Sequence, residues 1–78
     1  MKSAEVRVLR FLHAASAHES WVSYQTILNT EDLLPGDEKA LPILIGRGLV
    51  EESASRAAYR LSEVGLKAVR RASEVQGG

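Results

Sequence analysis

The sequence predicts a single α+β domain that is mostly helical. Apolar residues recur at helical spacing near the N-terminus, Gly48 stands where a helix would stop, and Ser62 stands where another would begin. Between these two residues lie two short runs of strand type around a polar turn. A chain of 78 residues buries only about 60% of the surface that its unfolded form exposes, so we expect one core. The domain is expected to span residues 1–76, with residues 77–78 as a frayed glycine tail.

The first helix is expected over residues 3–16, where Ser3 offers a side-chain oxygen of the kind that caps a helix N-terminus. Five apolar residues would form its buried face: Ala4, Val8, Phe11, Leu12 and Ala15. After a polar break, Trp21 and Val22 are expected to form a brief extended segment. This segment would bury the tryptophan against the first helix.

Ser23 offers a second N-cap, for a short helix over Tyr24–Asn29. Its buried face is predicted to be Ile27 and Leu28. The sequence thus predicts a second, two-turn helix immediately after the extended segment.

A third helix is expected over residues 37–47. The pair Pro35-Gly36 marks a turn before it, and Asp37 can cap its start. Its buried face would comprise Leu41, Leu44 and Ile45. Pro42 lacks the N–H that a helix interior needs, so it should kink or loosen the helix start. Alternatively, the helix begins later than Asp37, with Pro42 nearer its first position.

Gly48 suits the end of this helix because only glycine adopts a positive φ without steric cost. Two short strands are predicted after it, over residues 49–52 and over Ala58–Leu61, around a polar turn. Ser62 can cap a closing helix that runs to about residue 75. This helix offers three residues to the core or to a partner: Leu66, Val69 and Ala72.

Two stretches carry a resemblance to a known family. Residues 44–50 read Leu-Ile-Gly-Arg-Gly-Leu-Val, and residues 59–66 read Tyr-Arg-Leu-Ser-Glu-Val-Gly-Leu. This pattern resembles winged helix-turn-helix proteins, in their path from the recognition helix through the β-wing to the closing helix. The likeness covers nearly the whole chain from the first helix on. It implies a three-helix core, a two-stranded β-wing and a C-terminal helix.

The resemblance implies a small DNA-binding transcriptional regulator. In such proteins the second of two helices joined by a turn lies in the major groove, and the wing contacts the backbone or minor groove. Here Tyr24–Asn29 would support a recognition helix at about residues 37–47, and residues 51–60 would form the wing. One small module touches too few base pairs for useful selectivity. The implied state is therefore a homodimer on double-stranded DNA, paired through the first and last helices.

The resemblance gives seven candidates for DNA contact: Ser23, Tyr24 and Gln25 in the second helix region, Lys39 and Arg47 in the third, and Arg56 and Arg60 in the wing. Arginine forms bidentate, permanently charged hydrogen bonds with phosphate. The wing arginines can instead be solubilising charges, and Ser23 a simple cap beside a half-buried tyrosine. For Arg47 the alternative is a cation that favours a helix C-terminus. A solvated helix face is the simpler interpretation of Lys67, Arg70 and Arg71.

The charge distribution supports a second hypothesis. Ten basic and ten acidic residues cancel, although residues 54–71 contain five bases and a single acid, Glu63. The expected recognition helix offers Ala40, Pro42 and Ile43 where polar base readers are usual. Its rim would be Asp37, Glu38 and Lys39. This surface predicts, as the alternative, a winged-helix module that binds a protein partner through an apolar groove.

Other classes of function find little support. The absence of cysteine excludes disulfides, thiolate metal sites and cysteine nucleophiles, and fits a reducing compartment. His13 and His18 would point to different faces of a helix, so no metal site is predicted. No catalytic set is linked by the sequence, and we expect neither an enzyme nor a cofactor. Without a long apolar run or a signal-peptide pattern, we expect a cytoplasmic protein with no membrane partner.

Overall fold

The computed structural model describes residues 2–77, with side chains for residues 2–71. This part of the chain forms a mostly helical α+β fold with four α-helices and a three-stranded antiparallel sheet, which confirms the predicted class. In chain order the elements are α1 (Ser3–Ala15), β1 (Val22–Ser23), α2 (Tyr24–Asn29), a 3-10 turn (Asp37–Lys39), α3 (Ala40–Gly46), β2 (Val50–Ser53), β3 (Ala58–Leu61) and α4 (Glu63–Gly77).

The strands lie in the order β1, β3, β2, so β3 is central and pairs antiparallel with both neighbours. Val22 lies opposite Tyr59, and Glu51 lies opposite Arg60. The predicted hairpin of β2 and β3 is confirmed, with β2 beginning one residue later than expected. The extended segment expected at Trp21 and Val22 becomes a third strand, because Val22 and Ser23 pair with the other edge of β3. The start of α2 is thereby fixed to the hairpin.

The core lies between α1, α3 and the inner face of the sheet. Its least exposed large side chains are Val8, Leu12, Val22, Leu41 and Leu44. Full burial of such a side chain stabilises the fold by about 1.5–3 kcal/mol relative to exposure. The predicted buried faces of α1 and α3 are therefore correct at their centres. Four of their predicted members are only partly buried: Ala4, Phe11, Ala15 and Ile45.

The first helix begins at Ser3, and Lys2 is its N-cap residue. The prediction that Ser3 caps α1 is wrong by one position. The N–H of Lys2 donates to Oε2 of Glu5 at 3.0 Å, so a carboxylate within the first turn takes up this free donor. An acid in the first turn of a helix also interacts favourably with the helix dipole.

The second helix begins as predicted. The backbone N–H of Thr26 donates to Oγ of Ser23 at 3.1 Å, the usual N-cap hydrogen bond. Ile27 is buried, but Leu28 is half-exposed, so half of the predicted buried face is wrong. A helix of six residues turns only one narrow face to the core, and Ile27 occupies it.

The third helix begins at Ala40, after the 3-10 turn of residues 37–39, which confirms the later start. Pro42 is then its third residue, where a missing N–H costs no hydrogen bond within the α-helix. The prediction that Asp37 caps the helix is wrong, because its carboxylate accepts from the N–H of Leu34 at 2.8 Å. Gly36 precedes the turn with a φ of 93°, a conformation that favours glycine.

The end of α3 is a Schellman motif, in which two backbone hydrogen bonds close the helix around a left-handed residue. Gly48 has a φ of 76°, as its predicted role requires. Its N–H donates to the carbonyl of Ile45, and that of Leu49 donates to the carbonyl of Leu44, both at 3.0 Å. The chain leaves α3 directly into β2.

The start of α4 packs onto this motif. The N–H of Gly65 donates to Oγ of Ser62 at 3.0 Å, which confirms the predicted cap. The same hydroxyl donates to the carbonyl of Gly48, and the N–H of Ser62 donates to the carbonyl of Leu49 at 3.0 Å. One serine therefore joins the end of α3 to the start of α4.

Farther along, α4 supplies Val69 to the core, as predicted, while Leu66 is half-buried. The predicted contribution of Ala72 lies outside the described side chains. The helix reaches Gly77, beyond the expected end at residue 75, and Gly78 lies outside the described residues.

Candidate nucleic-acid interface

The predicted contact residues at the start of α2 lie beside the hairpin. The N–H of Tyr24 donates to the carbonyl of Ala57 at 2.9 Å, and its ring packs against Tyr59 with centroids 6.1 Å apart. Ser23 is held in the sheet and caps α2, while Gln25 is exposed. The second helix and the hairpin tip therefore form one continuous surface, although they are far apart in the sequence.

The outward side of the third helix is apolar in its middle and basic at both ends. Lys39 and Arg47 are exposed at the two ends, and Pro42 and Ile43 are exposed between them. Ile43 is 46% exposed. The predicted apolar surface is smaller than expected, because Ala40 is buried in the core. Two apolar side chains and two cations are thus exposed along this side.

The acid that begins the 3-10 turn does not face solvent. Asp37 is buried, and Arg7 donates to its two carboxylate oxygens from Nε and Nη2 at 2.8 and 2.9 Å. The arginine hydrogen bonds, with help from the N–H of Leu34, hold the pKa of Asp37 below its ordinary value despite burial. The same pair raises the pKa of Arg7. The predicted acidic rim of this helix is therefore reduced to the half-buried Glu38.

Arg47 is engaged with a buried acid that the sequence analysis missed. Its Nη1 lies 3.2 Å from Oε1 of Glu5, whose side chain is only 3% exposed, while that of Arg47 is 54% exposed. The two groups are within ion-pair distance, but Oε1 has no hydrogen-bond partner among the described residues. The spacing of Glu5 with Leu9 and Leu12, four and seven residues on, could have indicated that this acid shares the buried face.

Arg60, the wing arginine in β3, is held by two neighbouring side chains. Nη2 of Arg60 lies 3.3 Å from Oε2 of Glu51, and its guanidinium carbon lies 4.3 Å from the centre of the Trp21 ring. These contacts are a surface ion pair and a cation–π contact across neighbouring strands. Trp21 is half-buried, and the expected complete burial is wrong because its ring supports Arg60. The guanidinium is oriented but still about half-exposed.

Arg56 lies at the tip of the hairpin, in residues 54–57, and is exposed. Among side chains of residues 2–71, neither Arg56 nor Lys39 forms an ion pair, so their charges are available to a ligand. The adjoining strands carry two acids, Glu51 and Glu52. Glu52 accepts from the Tyr59 hydroxyl at 3.2 Å; burial, and then this carboxylate, raise the pKa of Tyr59.

Two other kinds of feature bear on function. Among the side chains of residues 2–71, no three His, Asp or Glu are grouped so as to hold a metal ion. None of the helices in residues 2–77 is both long enough and apolar enough to cross a lipid bilayer. Comparisons with protein-family models, with curated proteins and with solved structures give no match.

Proposed function

We propose that this chain is a winged-helix protein that binds duplex DNA as a transcriptional regulator. The order of its helices and of the hairpin strands is the one expected from the sequence resemblance, and β1 adds a third strand to that hairpin. The observation that carries the proposal is the junction of Tyr24 with Ala57. It brings two of the three predicted groups of DNA contacts, in α2 and in the hairpin, to one surface.

In the proposed complex, α3 lies in the major groove. Lys39 and Arg47 bind phosphates at its two ends, since cations there match the backbone on either side of a groove. Pro42 and Ile43 make apolar contacts with base edges, of the kind that recognise a thymine methyl group. The pairing of Asp37 with Arg7 favours this arrangement, because a free carboxylate there would repel phosphate.

The hairpin contributes phosphate or minor-groove contacts. Arg56 approaches the backbone from the hairpin tip, and Arg60 is presented in a fixed orientation by Trp21 and Glu51. An oriented guanidinium loses less side-chain entropy on binding. Each copy offers four cations: Lys39, Arg47, Arg56 and Arg60. At about 0.9 per phosphate contacted, a plot of the logarithm of affinity against the logarithm of salt concentration should have a slope no steeper than about −4 per copy.

The test is fluorescence anisotropy with labelled random and genomic duplex fragments, at low and physiological salt, followed by sequencing of retained fragments. We expect salt-sensitive binding that enriches a palindrome with half-sites about one helical turn apart, as a dimer requires. Failure to bind at low salt would exclude this function. A cytoplasmic location is part of the proposal, since chromosomal DNA is the ligand.

A second function, binding of a protein partner through α3, is favoured by the exposure of Pro42 and Ile43. The variant Ile43→Lys separates the two functions. A lysine there removes the apolar base contact assigned to Ile43, so under the DNA proposal the preference for the enriched sequence over random duplex should fall, while the added charge raises affinity for random duplex. The same change removes the centre of an apolar docking site. A reduced sequence preference supports the DNA proposal, and an unchanged preference with lost capture of a partner supports the second.

A further inference from the structure

A groove with a mixed polar and apolar lining and an acidic border lies between α2 and the 3-10 turn. Its volume is about 280 Å³, and its lining consists of Ile27, Leu28, Thr30, Leu33, Leu34, Pro35, Gly36 and Glu38. Leu28 is half-exposed and Leu34 is 57% exposed, so apolar surface is open to solvent in this groove. These eight residues form the acidic groove.

The charge of the segment that forms this groove is one-sided. Residues 28–38 contain four acids and no base. Asp37 is neutralised by Arg7, and Asp32 lies beside Arg7 and Arg10 on the other side of the loop, which leaves Glu31 and Glu38. Glu38 lines the groove, and Glu31 directly follows a lining residue. A ligand for the acidic groove must therefore combine an apolar contact with positive charge.

The start of α4 has this combination. Val64 is 60% exposed, and Lys67 and Arg71 are exposed three and seven residues farther on. This spacing puts all three on one side of the helix. Residues 64–71 contain three bases and no acid. The outer face of α4, meaning Val64, Lys67 and Arg71, is complementary to the acidic groove in charge and in apolar character.

We infer that the outer face of α4 in each of two copies of this protein docks into the acidic groove of the other, so that a two-fold axis relates two equal contacts. Val64 would enter between Leu28 and Leu34, and Lys67 and Arg71 would lie against the acidic border. The inference deepens the proposed function by naming the contact between copies, but the contact itself needs no DNA. It replaces the expected pairing of the first and last helices with a contact between two different surfaces.

A contact between unlike surfaces has a property that a contact between like surfaces lacks. A copy with a damaged groove still offers a sound α4, and a copy with a damaged α4 still offers a sound groove. Leu34→Asp and Val64→Asp each place a charge at an exposed apolar position, so both variants should fold. The two variants should fail to associate alone but should bind each other when mixed.

The test is sedimentation velocity of the full chain without DNA, over a range of concentrations and at two salt concentrations. We expect the wild type to associate more strongly at low salt, and each variant alone to associate at least about tenfold more weakly, since a buried unpaired carboxylate opposes docking. A mixture of labelled Leu34→Asp with Val64→Asp should form a 1:1 complex. Ala17→Asp, which adds a carboxylate at an exposed position after α1, should associate as the wild type does.

Two results would overturn the inference. A wild type that stays monomeric at all accessible concentrations excludes the contact. Association by Leu34→Asp alone, with loss only in Val64→Asp, would instead indicate that α4 pairs symmetrically with α4. Because DNA is absent, either failure leaves the DNA-binding proposal standing, and failure of DNA binding leaves this contact standing.

Discussion

Arg7 on α1 and Asp37 at the start of the 3-10 turn form a two-pronged ion pair, with Nε and Nη2 of the arginine 2.8 and 2.9 Å from the two carboxylate oxygens. The same carboxylate accepts from the N–H of Leu34. Asp37 therefore fixes both the loop that leads to α3 and the position of α3 relative to α1.

The stability of the fold should depend on pH through Asp37. The hydrogen bonds from Arg7, opposed by burial, lower the pKa of Asp37 from its ordinary value of 3.8. The contribution of ionised Asp37 to the free energy of unfolding is complete above pH 3.8. It is lost as the pH falls through the lower pKa of the folded state, because the unfolded chain binds the proton more tightly. In urea titrations, Asp37→Asn should be less stable than the wild type at neutral pH, and it should lose less stability than the wild type on acidification. Glu31→Gln, an exposed control, should keep the wild-type profile, and an identical acid loss in Asp37→Asn would contradict the assignment.

Glu5 and Arg47 should be energetically coupled. Arg47→Ala leaves a carboxylate that is 3% exposed without its counter-charge, which should cost about 1–3 kcal/mol of unfolding free energy. In the background of Glu5→Gln the same change should cost much less, because no buried charge remains. The comparison requires urea denaturation of the two single variants and the double variant. Additive effects would show that Arg47 is independent of Glu5 and is available entirely to a ligand.

Gly65→Ala and Gly46→Ala should change the stability of the fold in opposite directions. A methyl group at Gly65 would overlap the carbonyl oxygen of Leu49 and lie 2.9 Å from its carbon, so α4 must move away from β2. We expect a loss of about 1–3 kcal/mol, the usual cost of overpacking. Gly46 ends α3 with open space around it, and Gly46→Ala should stabilise by about 0.5 kcal/mol. Thermal or urea unfolding checks both, and equal effects would exclude the close contact as the cause.

The two wing arginines should differ in their effect on DNA binding. Arg56→Ala removes an exposed charge with no structural role, so it should reduce the salt slope by about 0.9 without changing stability. Arg60→Ala also removes the contacts with Trp21 and Glu51, and it should lower both affinity and hairpin stability. Arg70→Ala, the same change on α4, serves as the control in anisotropy and thermal unfolding. An unchanged slope in the double variant Arg56→Ala/Arg60→Ala would remove the hairpin from the interface.

Local signals in the sequence predicted most of the element boundaries. The caps at Ser23 and Ser62 and the left-handed Gly48 depend on interactions within a few residues, so their types and spacing are readable without the fold. The late start of α3 could also be proposed from Pro42 alone. The prediction placed the N-cap of α1 one residue too late, at Ser3. The N–H of Lys2 donates to the carboxylate of Glu5, and this hydrogen bond holds Lys2 in the N-cap position.

Contacts between distant segments could not be predicted in the same way. The pairs of Arg7 with Asp37 and of Glu5 with Arg47 join α1 to the third helical region. Local spacing places Glu5 on the buried face of α1, but nothing local in the sequence indicates which residues form the pairs. The third strand was missed as a strand for the same reason, because a two-residue segment becomes one only by pairing with β3. These long-range pairs alter the candidate site most, since they determine which charges near α3 are free.

The hydroxyl of Ser62 has a mechanical consequence. It donates to the last loop of α3, at Gly48, and accepts from the first turn of α4, at Gly65. A single oxygen therefore bonds to both segments, and the angle between the end of α3 and the start of α4 depends on one side chain. The outer face of α4, which begins two residues later at Val64, owes its position relative to α3 to this hydroxyl.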